Sequence, residues 1–234
     1  MYSFVEEESG PLKIFRLPET KMVYSMGVDA ATGLGEDYSS IQILTNTIPA
    51  EQVAVYRRQL PVNEFTKAVN KLGRFYNEAL NVCEINYPGN SVQDALLQFY
   101  LYPRNYQAES HLDIEMDVVD SYGYRTSEAG KWLLIHEMQM ALENNGIIIH
   151  DQVTLSEMNN FVFQGDKKKT GAAAGFNDDT VIALMLAYHG AQLYPIIHIA
   201  NMAKKKMLRT DPDSQKNWRL FRQKIGTGRE RKIL

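Results

Sequence analysis

The sequence predicts an α/β fold on a mixed sheet: an antiparallel three-strand meander on one side, parallel strands on the other, and helices flanking both faces. Two observations predict it. Three apolar runs of strand length, 22–30, 39–44 and 52–60, follow one another with only short turns between. From residue 63 onward, stretches with helical spacing of apolar residues alternate with short strand-like runs, which is how parallel strands are joined.

Residues 1–20 contain Glu6, Glu7, Glu8, Ser9, Gly10, Pro11 and Pro18 without periodicity, and read as a leading linker or arm. The first strand, 22–30, closes on the acidic Asp29; Gly33 and Gly35 then supply turn chemistry before the second strand, 39–44. In the third strand, 52–60, apolar Val53 and Val55 alternate with Arg57. Asn63 is placed to cap a helix reaching Leu80, because Phe65, Val69, Leu72, Phe75, Tyr76 and Leu80 fall near helical spacing. A short strand, 82–85, carries Glu84 at its centre; Ser91 opens a helix to Tyr100, and 105–109 is extended. Ser127 caps a helix to Asn144, stopped by Asn145-Gly146. A buried strand at 147–149, a short helix at 155–161 and a Gly/Lys/Ala loop at 165–175 follow, and Asn177-Asp178-Asp179 then begins a strongly apolar helix from Thr180 through Tyr188 or beyond. The expected division is an arm at 1–20, one domain at 21–195 and a basic tail at 196–234.

The 234 residues carry 25 Lys and Arg against 28 Asp and Glu, with 44% hydrophobic residues, so fibrous and wholly disordered classes are excluded. The single Cys83 permits no intrachain disulfide, and no signal-like segment opens the chain, so a reducing intracellular compartment is expected. The run 181–200 is interrupted by His189, Gln192, Pro195 and His198, which suits a buried helix rather than a membrane span. Charge is unevenly distributed. The tail 196–234 has eleven basic and three acidic residues, leaving 14 and 25 in residues 1–195: an acidic body of −11 and a tail of +8. A solvated tail and a nucleic-acid contact both fit that split. Trp218 and Phe221 punctuate the tail's cations at helical spacing, and packing suits them as well as DNA contact.

Asp29 at a strand end and Glu84 inside an apolar strand need a reason, because burying an unpaired carboxylate costs several kcal/mol. Taken singly, Asp29 suits a turn, Glu84 an ion pair, and Asp178-Asp179 the capping of a helix. Taken as a set they suit a cation: if the first and fourth strands are neighbours and the last helix crosses them, the carboxylates converge, and oxygen-only ligands favour Mg²⁺ or Mn²⁺. Two such ions serve in-line displacement at phosphodiesters.

The stretches VYSMGVDAATGLGEDYSSIQIL (23–44), VCEINYPG (82–89) and AGFNDDTVIALMLA (174–187) resemble, in order and spacing, the three acidic motifs of the nuclease domain of tailed-phage terminase large subunits. SGPLKIFRLPETKMVYSMGVD resembles the junction after the ATPase domain of those proteins, so the likeness spans roughly 10–195. It implies an RNase H-like fold of the retroviral integrase superfamily and metal-dependent cleavage of concatemeric double-stranded DNA during genome packaging. Asp29 is then the central, metal-bridging catalytic carboxylate, Glu84 the second and Asp179 the third, with Asp178 beside it as a further ligand or its support. Asp37, in Gly-x-Gly-x-Asp-Tyr, corresponds to an auxiliary acid of the family. The implied cofactors are Mg²⁺ or Mn²⁺, as two ions. The implied partners are double-stranded DNA, an ATPase motor domain, the small terminase subunit and the portal, in host-cell cytoplasm and with no membrane.

Lys167, Lys168 and Lys169, in the loop before the acidic pair, are candidate DNA-backbone contacts, with a solvated loop as the plain alternative. Gly165 to Thr170 lacks the second glycine of a phosphate-binding loop, so any ATPase is expected outside these residues. Two rival readings stand beside the terminase one. A junction resolvase or other RNase H-like nuclease would differ in preferred substrate. A non-catalytic nucleic-acid- or protein-binding module would bind no Mn²⁺ through Asp29, Glu84 and Asp179 together.

Overall fold

The computed structural model describes residues 10–35, 37–108, 122–164 and 169–194. Its main sheet has six strands. β1 (Leu12–Ile14), β4 (Ala50–Arg58), β3 (Ser39–Thr45), β2 (Tyr24–Asp29) and β5 (Leu80–Cys83) lie side by side in that order. A sixth strand, β6 (Ile147–Ile148), runs parallel to the start of β4. The meander β2-β3-β4 is antiparallel, whereas β5 lies parallel to β2, so the sheet is mixed as the sequence predicts. Helices α1 (Val62–Phe75), α2 (Gly89–Gln98), α3 (Glu128–Glu143), α4 (Gln152–Asn159) and α5 (Asp179–Leu193) complete the domain. Among the described residues no helix is long and apolar enough to cross a membrane.

Strand alternation sorts β2 onto two faces. Tyr24, Met26 and Val28 join Ile41, Ile43, Phe65, Val69 and Tyr76 in one core beneath α1 and α2. On the other face Leu80 and Val82 pack with Leu134, Met138, Val181, Leu184 and Met185 of α3 and α5. At about 1.5–3 kcal/mol per large buried side chain, these two cores are the main source of stability. Helix α5 is apolar all round because it is enclosed between sheet and α3, with residues from Thr180 to Ala187 buried in unbroken succession.

Gly27 sets how closely α5 approaches the sheet. A Cβ there would stand 1.9 Å from the Ala183 carbonyl oxygen and 2.5 Å from the Ala187 nitrogen. At the other end of the contact, a Cβ on Gly190 would meet Ser25 at 3.2 Å. Going forward along β2 from Ser25 to Gly27 therefore runs backward along α5, and the strand's last residue, Asp29, comes out beside the helix start.

Several boundaries differ from the sequence expectation. Residues 12–14 of the arm form the edge strand β1, with Leu12 opposite Tyr56, because Leu12 and Ile14 pack on the α1-side core. Helix α1 starts at Val62 after Pro61, without a cap from Asn63, and stops at Phe75. Asn77 and Glu78 take positive φ there, and Leu80 belongs to the next strand. Strand β5 ends at Cys83, so Glu84 lies just beyond it, joined by a single bridge to Tyr124. Helix α4 begins at Gln152, three residues earlier than expected, because the Asp151 carboxylate accepts from the Thr154 amide at 2.8 Å. Within the expected loop at 165–175, residues 169–172 form strand β8 (Lys169–Ala172), paired with β7 (Phe161–Gln164), which begins at the residue expected to end the short helix. The Ser127 cap stands as expected, accepting from Gly130 N at 3.0 Å.

Candidate metal centre

Three elements bring the candidate carboxylates together. Val28 pairs with Cys83 in the parallel ladder, and Glu84 N donates to Val28 O at 3.0 Å, so Asp29 and Glu84 are successive to paired residues on neighbouring strands. The antiparallel crossing of α5 over β2 adds Asp178 and Asp179 at the helix start. Burial pushes the Asp29 carboxyl well above the usual carboxylate range, and the charge of Glu84 adds to it, with smaller contributions from Asp179, hydrogen-bond contact with Glu84, and Asp178. The four acids expected to act together therefore do feel one another.

They form an open cluster rather than a finished shell. Among the described residues no group of three or more His, Cys, Asp or Glu side chains is drawn in closely enough to hold an ion. Asp29 and Glu84 are the tight pair, and Asn86 Nδ2 steadies Glu84 at 3.1 Å. Asp179 is engaged elsewhere: its Oδ2 accepts from Tyr38 N at 3.2 Å and lies 4.0 Å from Arg57 Nη2. Burial pushes Asp179 up to about 7; the Tyr38 amide and the Arg57 charge pull it down, while Glu157 and Asp178 push it up. Asp178 occupies the N-cap position of α5, yet its carboxyl makes no capping hydrogen bond. Glu157, on α4, takes that role by accepting from Thr180 N at 2.9 Å. The side-chain capping explanation for Asp178 thus fails, while its charge raises both Asp29 and Asp179.

The donor set fits a divalent cation. All four groups supply oxygen, and a cation would offset with attraction the burial and mutual repulsion that raise the Asp29 and Asp179 carboxyls.

Asp37 is exposed and is absent from the groups acting on Asp29 or Asp179; its neighbour Tyr38 is the one that reaches Asp179, through the backbone. Lys167 and Lys168 lie outside the described residues; Lys169 is in β8, opposite Gln164, and its side chain is likewise outside the description. The tail 196–234, with Trp218 and Phe221, is also outside the described residues. Cys83 is buried in the α1-side core with its thiol pushed up by burial, as a core residue should be. His189 hydrogen-bonds Glu137 at 2.9 Å and His150 meets Glu51 at 3.2 Å, both structural contacts away from the cluster.

Two side chains the sequence reading did not place at the site are Arg57 and Glu157. They form an ion pair at 3.3 Å, and the Arg57 guanidinium lies 3.5 Å over the Tyr38 ring. An Arg at a strand position whose neighbours face the sheet's interior was the available signal for the first. Nothing local marked the second, since its partners are 23 residues and more away.

Comparison with known proteins places this architecture. No protein-family profile and no curated protein sequence matches the chain. Among solved structures, the chain is similar to the large terminase nuclease from thermophilic phage G20c with bound magnesium, at TM-score 0.62 and 19% identity over 78% of this chain and 89% of that one. The same phage nuclease with bound cobalt gives TM-score 0.63 at 17% identity, over 78% and 89%. The large terminase nuclease domain of Thermus phage P74-26 gives 0.56 at 18%, over 78% and 86%. The chain shares the fold of these nuclease domains, the mixed α/β fold that the three acidic motifs imply.

Proposed function

We propose that this chain is the nuclease domain of a phage terminase large subunit, a metal-dependent endodeoxyribonuclease that cuts concatemeric double-stranded DNA during genome packaging. The observation that carries the reading is the convergence of Asp29 and Glu84, at the ends of adjacent parallel strands, with Asp178 and Asp179 at the start of the helix crossing them. The fold shared with phage terminase nucleases solved with magnesium and cobalt supports it.

In this reading Asp29, central in the cluster, Glu84 and Asp179 would hold two divalent ions, Mg²⁺ or Mn²⁺, with Asp178 as a further ligand or its support. Bound there, the ions would supply an activated water and a counter-charge for the leaving 3′ oxygen. Asp37, exposed beside Tyr38, is the proposed auxiliary acid. The rigid seat of Asp29 matters, because in-line attack tolerates little misplacement. β2 is hydrogen-bonded on both sides, and α5 is pressed onto it at Gly27. Arg57 holds Asp179 in place through charge, and Asn86 holds Glu84 through a hydrogen bond. Lys167, Lys168 and Lys169 contact the DNA backbone. An ATPase motor domain outside these residues, the small terminase subunit and the portal are the proposed partners, in the host cytoplasm.

Supercoiled plasmid offered to the intact chain with Mg²⁺, Mn²⁺ or chelator tests the reading. Nicking and linearisation should require metal and disappear in Asp29→Asn, with circular dichroism unchanged. Cutting retained by a folded Asp29→Asn protein would overturn the assignment.

A further inference from the structure

We propose that Lys13, Arg57 and Arg58 form a binding cleft for a backbone phosphate of duplex DNA, next to the acid cluster. The cleft encloses about 410 Å³ and is lined by Lys13, Tyr38, Arg57, Arg58 and Asp151 among others. Its lining carries three cations and one anion, with Glu157 and Asp179 set against Arg57 behind it, on a body that is otherwise strongly acidic. Such a concentration of cations is where a polyanion can settle.

The anion present is already occupied. Asp151 gives one oxygen to Lys13 Nζ at 2.7 Å, and the other accepts from Thr154 N and Oγ1, both at 2.8 Å. Its side chain is 1% exposed, whereas that of Lys13 is 49% exposed, so the ammonium keeps donors on the open side. Arg57 is clamped flat on Tyr38, with Nη2 turned to Glu157 and Asp179. Its Nε is buried and has no hydrogen-bond partner among the described residues. An unpaired buried donor costs about 1–3 kcal/mol, and a phosphate oxygen entering the cleft supplies the missing acceptor. Arg58, exposed at the end of β4, adds a charge at the mouth.

Position gives the cleft its role. Tyr38 and Arg57 line it and also hold Asp179, so a phosphate bound here lies beside the carboxylates and fixes the strand's register over them. This proposal rests on the nuclease reading only for the identity of the polyanion. It differs from the contact assigned to Lys167, Lys168 and Lys169, which precede the acidic pair in the sequence.

The test is fluorescence anisotropy of a labelled DNA duplex with the intact chain, in chelator to prevent turnover, between 50 and 200 mM salt. Arg58→Gln and Lys13→Gln should each weaken binding about eightfold at 0.1 M salt and lower the log–log salt slope by about 1; together they should lower it by about 2. Lys67→Gln, on the exposed face of α1 away from the cleft, should change neither. Arg57 is left intact because it also holds Glu157 and Asp179. Lys13→Gln leaves a buried carboxylate unpaired, so Arg58→Gln alone decides the matter if that variant unfolds. An unchanged affinity and slope in Arg58→Gln overturns the proposal, as does a wild-type chain that does not bind duplex. Failure of the nuclease reading shows separately: plasmid cutting absent or insensitive to Asp29→Asn, with the Arg58→Gln effect still present, removes the enzyme and leaves the cleft.

Discussion

Replacing Asp179 by Asn should stabilise the metal-free protein at neutral pH, and by a large margin. Burial and the neighbouring acids raise this carboxyl from 3.8 to about 7. At roughly 1.4 kcal/mol per pKa unit, ionising it in the native state costs on the order of 4 kcal/mol. Because the folded value lies above the unfolded one, the associated stability is complete below about pH 4 and is lost as pH rises to about 7. Asn cannot ionise, and its carbonyl oxygen can still accept from Tyr38 N. Thermal unfolding in chelator from pH 4.5 to 8 measures the difference directly. The variant minus wild-type Tm should grow across that range to on the order of 10 °C, taking roughly 2–4 °C per kcal/mol for a domain of this size. Saturating Mg²⁺ should reverse the order, since only the wild type gains an ion held by all its carboxylates. A difference that stays flat with pH, or an Asn variant less stable throughout, would refute the electrostatic argument.

Gly27→Ala should cost about 3 kcal/mol or more in urea unfolding, because its Cβ meets helix backbone at 1.9 Å and α5 must lift from β2. Asp151→Asn should cost about 2–3 kcal/mol by the same assay, since Lys13 loses its partner at 2.7 Å. Burial raises Asp151, but Lys13 and the Thr154 donors outweigh it and leave the group below 3.8; its contribution is therefore present above pH 4 and fades on acidification, opposite in sense to Asp179. Glu157→Gln removes a charge that pushes Asp179 up and frees Arg57, so carboxyl carbon NMR should find Asp179 titrating below about 7 in that variant.

The meander and the apolar last helix were legible because each rests on local pattern: apolar runs of strand length at 22–30 and 39–44, and an unbroken apolar run in α5. The convergence expected of Asp29, Glu84, Asp178 and Asp179 rested on the order of the acidic motifs and on their strands being neighbours, and β2 and β5 do pair in parallel. What escaped was set by tertiary contact. The arm's Leu12 and Ile14 become strand only because β4 offers an edge. Helix α1 stops early because Asn77 turns to donate to Glu19 and Met22 carbonyls, 58 and 55 residues back. The hairpin β7-β8 was hidden behind a lysine-rich connection that reads as loop. Arg57 and Glu157 escaped for the same reason, since their meaning lies in Tyr38, Thr180 and Asp179, which the fold alone brings near.

The central claim is that carboxylates from β2, the end of β5 and the start of α5 form one divalent-ion site. Anomalous diffraction from Mn²⁺-soaked crystals tests it most directly. One or two manganese peaks within about 2.0–2.6 Å of Asp29, Glu84 and Asp179 oxygens are expected, with none in an Asp29→Asn crystal. Peaks elsewhere only, or peaks at the cluster that persist in Asp29→Asn, would contradict it.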